Sequence, residues 1–130
     1  MAFTTKRIYD PPEASDGHRV LVDRLWPRGV SKARAELDDW MKDVAPSPEL
    51  RTEWHHAVDR EATFDGFAAR YRLELDGNPA AEALLALGRE HERVTLLFGA
   101  RDEHANHALV LLDWLAARGA SVEPPASAVE

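Results

Sequence analysis

The chain has no cysteine among its 130 residues. Disulfides, thiolate nucleophiles and sulfur-ligated zinc are therefore excluded, and the composition suits a reducing compartment. No apolar run approaches the roughly 20 residues that span a bilayer. The opening segment, residues 1–7, leads into no signal-peptide core. A soluble, cytoplasmic chain with no membrane partner is the expectation. Positive charge is also scarce: 16 Lys and Arg against 23 Asp and Glu leave a formal net charge of −7. Most of the surface should repel a polyanion, so nucleic acid is a disfavoured partner unless a local basic patch exists. The P-loop, the dinucleotide-binding glycine pattern, the nucleophile elbow and the zinc-protease helix are all missing. Any cofactor is left unknown, and without cysteine any metal site would have to be built from His and carboxylates.

What is present is a core. With 45% hydrophobic residues in 130, the chain reads as one α/β domain over residues 1–119, followed by a flexible tail over residues 120–130 that holds Pro124 and Pro125. Three strands stand out: Phe3 to Tyr9, stopped by Asp10-Pro11-Pro12; His18 to Leu25; and Val94 to Phe98, apolar on both parities as in a sheet with both faces covered. The short stretch from Asp10 to Gly17 would favour an antiparallel pair if the first two strands were adjacent.

Five helices are expected. Ser31 can cap the first, with Leu37, Trp40, Met41 and Val44 along one face. Pro46-Ser47-Pro48-Glu49 starts a second that should run to about Val58. Phe64, Phe67, Ala68, Tyr71 and Leu75 mark the inner face of a third, and Asn78-Pro79 starts a fourth. The fifth, capped by Asp102 and closed by Gly119, is apolar nearly all round and should be buried. The fold class is α/β, a small and mainly parallel sheet of about three strands covered by about five helices.

Two polar clusters could carry chemistry, and both lie where an apolar strand turns into a helix. The first is Asp23-Arg24-Leu25-Trp26-Pro27-Arg28-Gly29-Val30-Ser31-Lys32. Arg24, Arg28 and Lys32 would gather beside a helix N-terminus, a natural place for a phosphate or carboxylate, with Trp26 as a wall. The plainer reading pairs these cations with nearby acids and sinks Trp26 into the core. The second cluster, Arg101-Asp102-Glu103-His104-Ala105-Asn106-His107, follows the last strand. Here His107 could move a proton and Asp102 could orient a group, while Arg101 and Asn106 contact the ligand. The alternatives are a metal held by His104 and His107, or a capping Asp with two surface histidines; two His alone are too few ligands to assign a metal. Tyr71 and Trp40 sit at core spacing, and Lys42 and Arg51 look like ordinary helix-surface cations.

Several segments, in order, resemble the YeaO-like branch of a bacterial domain-of-unknown-function family, DUF488. They are residues 6–10, residues 19–29 with the run Asp23-Arg24-Leu25-Trp26-Pro27-Arg28-Gly29, Trp40 to Pro46, Arg70-Tyr71, and Val94 to Phe98 through Arg101-Asp102 and Asn106-His107. The resemblance covers roughly residues 5 to 117 and implies a small α/β protein with a mainly parallel sheet; it implies no agreed activity. The chain departs from the family pattern in one place. Ala105 stands where relatives commonly carry a first His, and His104 precedes it, which turns the imidazole by about 100° around a helix.

The leading functional expectation is a small cytoplasmic protein that binds an anionic, phosphate- or carboxylate-bearing small molecule between the two strand-to-helix turns, with Arg24 and Arg28 holding the anion. The alternative is a regulatory module that binds nucleic acid or protein. A closed pocket with converging Arg and His favours the first, and a continuous basic face the second.

Overall fold

The computed structural model describes residues 2–55, 60–101 and 106–123. Four strands form one sheet: β1 (Ala2–Arg7), β2 (His18–Leu21), β3 (Asp39–Trp40) and β4 (Arg93–Phe98), in the spatial order β1-β4-β2-β3. All pairings are parallel. β4 lies between β1 and β2, so the short link from β1 to β2 need not form a hairpin. The expected parallel α/β architecture is present, with one strand more than the sequence suggested.

Five helices accompany the sheet: α1 (Lys32–Ala35), α2 (Pro48–His55), α3 (Arg60–Asp76), α4 (Pro79–Glu90) and α5 (His107–Ala117). One face of the sheet presents Phe3, Val20, Val22, Val94, Leu96 and Phe98 to a core shared with Tyr71, Leu75, Leu84, Leu111 and Leu115 of the long helices. On the opposite face Leu21 and Leu97 pack with Ile8, Val30 and Ala35. Burial on both faces explains why β4 is apolar on both parities. α5 buries Ala108, Val110, Leu111, Leu112, Trp114 and Leu115, leaves Asp113, Ala116 and Ala117 exposed along one face, and is closed at Gly119 (φ 95°), with the Gly119 amide donating to the Ala116 carbonyl and the Ala120 amide to that of Leu115. Among the described residues no helix is long and apolar enough to cross a membrane.

The first helix departs most from expectation. Ser31 caps it as anticipated, its hydroxyl accepting from the Arg34 amide at 3.1 Å. It nevertheless ends after Ala35, where Glu36 turns left-handed (φ 46°, ψ 50°). Arg19 is responsible: its Nε and Nη2 donate to the Ala35 carbonyl, and Nε also to that of Glu36, satisfying groups that another turn of helix would have used. The chain then extends into β3 beside β2, so Trp40 lies on an edge strand instead of an inner helix face. The expected Asp102 cap of α5 falls outside the described residues. Asn106 caps that helix, Oδ1 accepting from the Leu109 amide at 3.1 Å. The tail was expected to be free from about residue 120, but the Phe3 amide donates to the Ser121 carbonyl and Val122 bridges Phe3 in parallel. Residues 124–130 lie outside the described residues.

The link from β1 to β2 closes over a buried ionic network. Lys6 Nζ donates to the Pro11 carbonyl (2.7 Å), Glu13 Oε1 (2.9 Å) and Asp16 Oδ1 (3.0 Å). Arg19 pairs with the other oxygen of Asp16. The Asp16 carbonyl accepts from Thr95 Oγ1 at 2.6 Å, which ties the link to β4. Gly17 (φ 67°) completes the turn into β2; any Cβ there would meet the Arg93 carbonyl oxygen at 2.4 Å.

Burial pushes the Asp16 carboxyl up, but the Glu13 amide, Lys6 and Arg19 outweigh it and hold the group below the ordinary value of 3.8. A carboxylate lowered on folding contributes stability above its unfolded pKa and loses it as the pH falls through the folded one. We therefore expect Asp16→Asn, which strands two buried cations, to lose about 3–5 kcal/mol at neutral pH. The gap from the parent should narrow as the pH drops below about 4, and urea melts across that range measure it. A gap independent of pH would show that Asp16 acts by shape alone.

Candidate functional site

The parallel pairing of β2 with β4 brings the two polar clusters to the same end of the sheet. Between them lies a cavity of about 520 Å³, bounded by the turn after β2, the end of β4, the start of α5 and one side of α2. Arg24, Trp26, Arg28, Arg101, Asn106 and His107 all line it. Carboxyl ends of parallel strands beside a helix N-terminus are where open α/β sheets collect ligands.

These residues do different work. Arg24 is half-buried and spends its donors on the chain, Nη2 on the Ala45 carbonyl (3.3 Å) and Nε on that of Pro46 (3.4 Å). It anchors the segment that leads into α2. Trp26 is half-buried and fixed in place: its Nε1 donates to the Val30 carbonyl at 2.6 Å, and its ring meets Trp40 edge-on with centroids 5.4 Å apart. Arg28 is exposed at the mouth, and its carbonyl accepts from the Tyr9 hydroxyl at 2.8 Å. Asn106 is fully buried and serves as the α5 cap. Lys32 does not join the group; it is exposed at the start of α1, outside the cavity lining, because the turn ends before that helix begins. Asp102 and His104 lie outside the described residues.

The floor holds a carboxylate that the spacing arguments missed. Asp23 ends the apolar run of β2, and its Oδ2 accepts from the Gly99 amide at 2.8 Å, stapling the ends of β2 and β4. Its carbonyl takes the Trp40 Nε1 hydrogen at 2.7 Å. Its Oδ1 is buried without a hydrogen bond, 3.2 Å from His107 Nε2, and that nitrogen also lies 3.1 Å from the Val22 carbonyl. Two acceptors facing Nε2 require it to carry the hydrogen, which leaves Nδ1 as the lone-pair nitrogen of the neutral ring.

Arg51 and Trp54 of α2 also line the cavity. Arg51 had read as a surface cation because only the tertiary fold turns α2 toward the β2 turn. Trp54 stacks on Phe67, centroids 4.3 Å apart and planes 16° from parallel. Tyr71 is core as expected: it is buried, its hydroxyl donates to the Val44 carbonyl at 2.6 Å, and burial pushes its pKa well up. Among the described residues no ion pair or hydrogen bond engages the guanidinium groups of Arg28, Arg51 or Arg101, and no group of three or more His, Asp or Glu could hold a metal ion.

A family model described as the Inactive DUF488-N3 subclade matches residues 2–129. The chain belongs to the DUF488 family. Among its relatives is the Escherichia coli protein named Uncharacterized protein YeaO, 46% identical over 115 residues, which are 88% of this chain and 97% of that one. Uncharacterized protein Rv3073c of Mycobacterium tuberculosis is 43% identical over 113 residues, 86% of this chain and 92% of that one. Uncharacterized protein Mb3100c of Mycobacterium bovis matches to the same extent. The YeaO-like resemblance carried by the Asp23 to Gly29 motif is thus confirmed. No solved structure matches the chain.

The Asp23–His107 geometry makes a direct prediction. A long-range proton–nitrogen NMR spectrum of neutral His107 should carry the Nε2–H signature; an Nδ1–H signature would mean that the ring faces the other way. Asp23→Ala should cost about 1–3 kcal/mol in a urea melt, because the Gly99 amide loses its acceptor.

Proposed function

We propose that this protein is a cytoplasmic binding protein for a small anion bearing a phosphate or carboxylate group, and that the cavity at the carboxyl ends of β2 and β4 is its site. The observation that carries the reading is that Arg28, Arg51 and Arg101, whose guanidinium groups have no partner among the described residues, all line one cavity. Guanidinium groups left out of internal ion pairs keep their donors for a ligand, and arginine offers a planar fork that fits both anions. Its volume of about 520 Å³ falls in the range of small-molecule sites, roughly 300–1,000 Å³.

Binding without turnover is favoured by the subclade's own description as inactive. In this reading His107 and Asp23 shape the floor, and Asn106 holds the start of α5. Arg24 keeps the wall in place instead of touching the anion. Lys32, outside the cavity lining, has no part in it, and Asp102 lies outside the described residues.

Arg28→Ala tests the reading, with inorganic phosphate and citrate as probes. Either anion should raise the melting temperature of the parent by mass action. The variant should keep the parent's stability to within about 0.5 kcal/mol. It should bind roughly 1.5–3 kcal/mol more weakly, a loss of about tenfold to more than a hundredfold. If Arg28→Ala instead melts early and binds both probes as well as the parent does, Arg28 is a structural residue and the anion site is wrong.

A further inference from the structure

The cavity is cationic only in part. Two indoles, Trp26 and Trp54, line it together with Phe67 and Pro27. Each indole is held by the protein before any ligand arrives: Trp26 by the hydrogen bond to Val30 and the edge contact with Trp40, Trp54 by the stack on Phe67. A site for a bare anion has no use for immobilised aromatic surface, because that surface supplies neither donors nor positive charge. Flat apolar walls of this kind favour a flat partner, since rings stack with little entropy left to lose.

The charge distribution gives the ligand a direction. Arg28, Arg51 and Arg101 are all exposed, which puts positive charge at the mouth. The floor carries Asp23, whose carboxylate opposes an anion there, and beside it the His107 ring. An anionic group is therefore drawn to the mouth, and the floor is left for an uncharged part of the same molecule.

Building on the anion-site reading, we infer that the ligand is a phosphate ester that also carries a flat aromatic ring, the class represented by a nucleoside 5′-monophosphate. The ring lies against Trp26 and Trp54, and the phosphate meets the arginines. Both halves are needed. The ring alone lacks the charge that the mouth selects, and a sugar phosphate alone leaves the indoles bare.

The test is a calorimetric titration of the parent protein with AMP, ribose 5-phosphate and adenosine in the same buffer. Ribose 5-phosphate carries the anion without the ring, and adenosine the ring without the anion. AMP should bind about tenfold or more tighter than ribose 5-phosphate, in keeping with the worth of one base stacked on an aromatic side chain. Adenosine should bind more weakly than AMP. Trp54→Leu should bring AMP down toward ribose 5-phosphate and leave ribose 5-phosphate where it was. Should that variant fail to fold, saturation transfer from the parent protein to the adenine protons of AMP, stronger than to its ribose protons, is the independent readout. Equal affinity for AMP and ribose 5-phosphate would overturn the aromatic inference and leave the anion site standing. Failure of AMP and ribose 5-phosphate alike, with no response to inorganic phosphate or citrate, would remove the anion site and the inference with it.

Discussion

Asp16 closes the connection on which the sheet order depends. A chain that leaves β1 and returns to β2 in parallel must cross back over β4, and here it does so in residues 8–17 with a single 3₁₀ turn, Ala14–Asp16, instead of a covering helix. Such a link covers part of a sheet face without bringing an apolar stripe to it. The face is filled instead by Lys6, Asp16, Arg19 and Thr95, all buried. Removing these charges from water is costly, and their mutual attraction returns the cost only where nearly every donor and acceptor is met. Lys6 and both oxygens of Asp16 meet that condition, and the remaining donors of Arg19 go to α1. One carboxylate thus ties β1, the link and β2 together, while its residue's carbonyl ties the link to β4.

The position of the cavity follows. With β4 held between β1 and β2, the ends of β2 and β4 are neighbours, and Asp23 joins them through the Gly99 amide. Gly99 suits that join because a Cβ there would lie 3.0 Å from the Asp23 carboxylate. Arg24 fastens the next stretch to the carbonyls of Ala45 and Pro46, which brings α2, and with it Arg51 and Trp54, to the same opening. A single turn after β2 therefore supplies a staple, an anchor, a wall and a free cation in six residues, Asp23 to Arg28. So dense a division of labour explains why this run is the most distinctive in the sequence.

Legibility followed the range of the interactions. Val94 to Phe98, the Asn78 cap before Pro79 and the Gly119 stop are set by local chemistry, and each was readable from its own few residues. The two clusters were readable too, because strand-to-helix turns announce themselves. What escaped depends on contacts far apart in sequence. Leu37, Trp40, Met41 and Val44 have helical spacing, and nothing near them reveals that Arg19 will cap the carbonyls of Ala35 and Glu36. Asp23 stood in the first cluster without a role, inside a strand read as His18 to Leu25, since its partners lie 76 and 84 residues away at Gly99 and His107. Arg51 looked solvated because its own helix carries no sign of which neighbour it faces. A charge at a strand end, directly after three apolar residues, is the signal that could have singled out Asp23.

Net charge, which argued against a polyanion at the outset, also bears on how the proposed site would select. A net charge of −7 over 130 residues opposes any large anion that must lie along the surface. Screening limits that opposition to about 8 Å at physiological ionic strength. A molecule small enough to enter the cavity meets Arg28, Arg51 and Arg101 of its lining and little of the distant acidic surface. A nucleic acid strand would meet both. Lining one cavity with Arg28, Arg51 and Arg101, none of them ion-paired among the described residues, carries a folding cost of its own, since like charges repel one another. Asp23, which lines the same cavity and which the fold already needs for its staple, offsets part of it. An anion bound at the mouth would relieve the rest, so ligand and fold should stabilise each other at this end of the sheet.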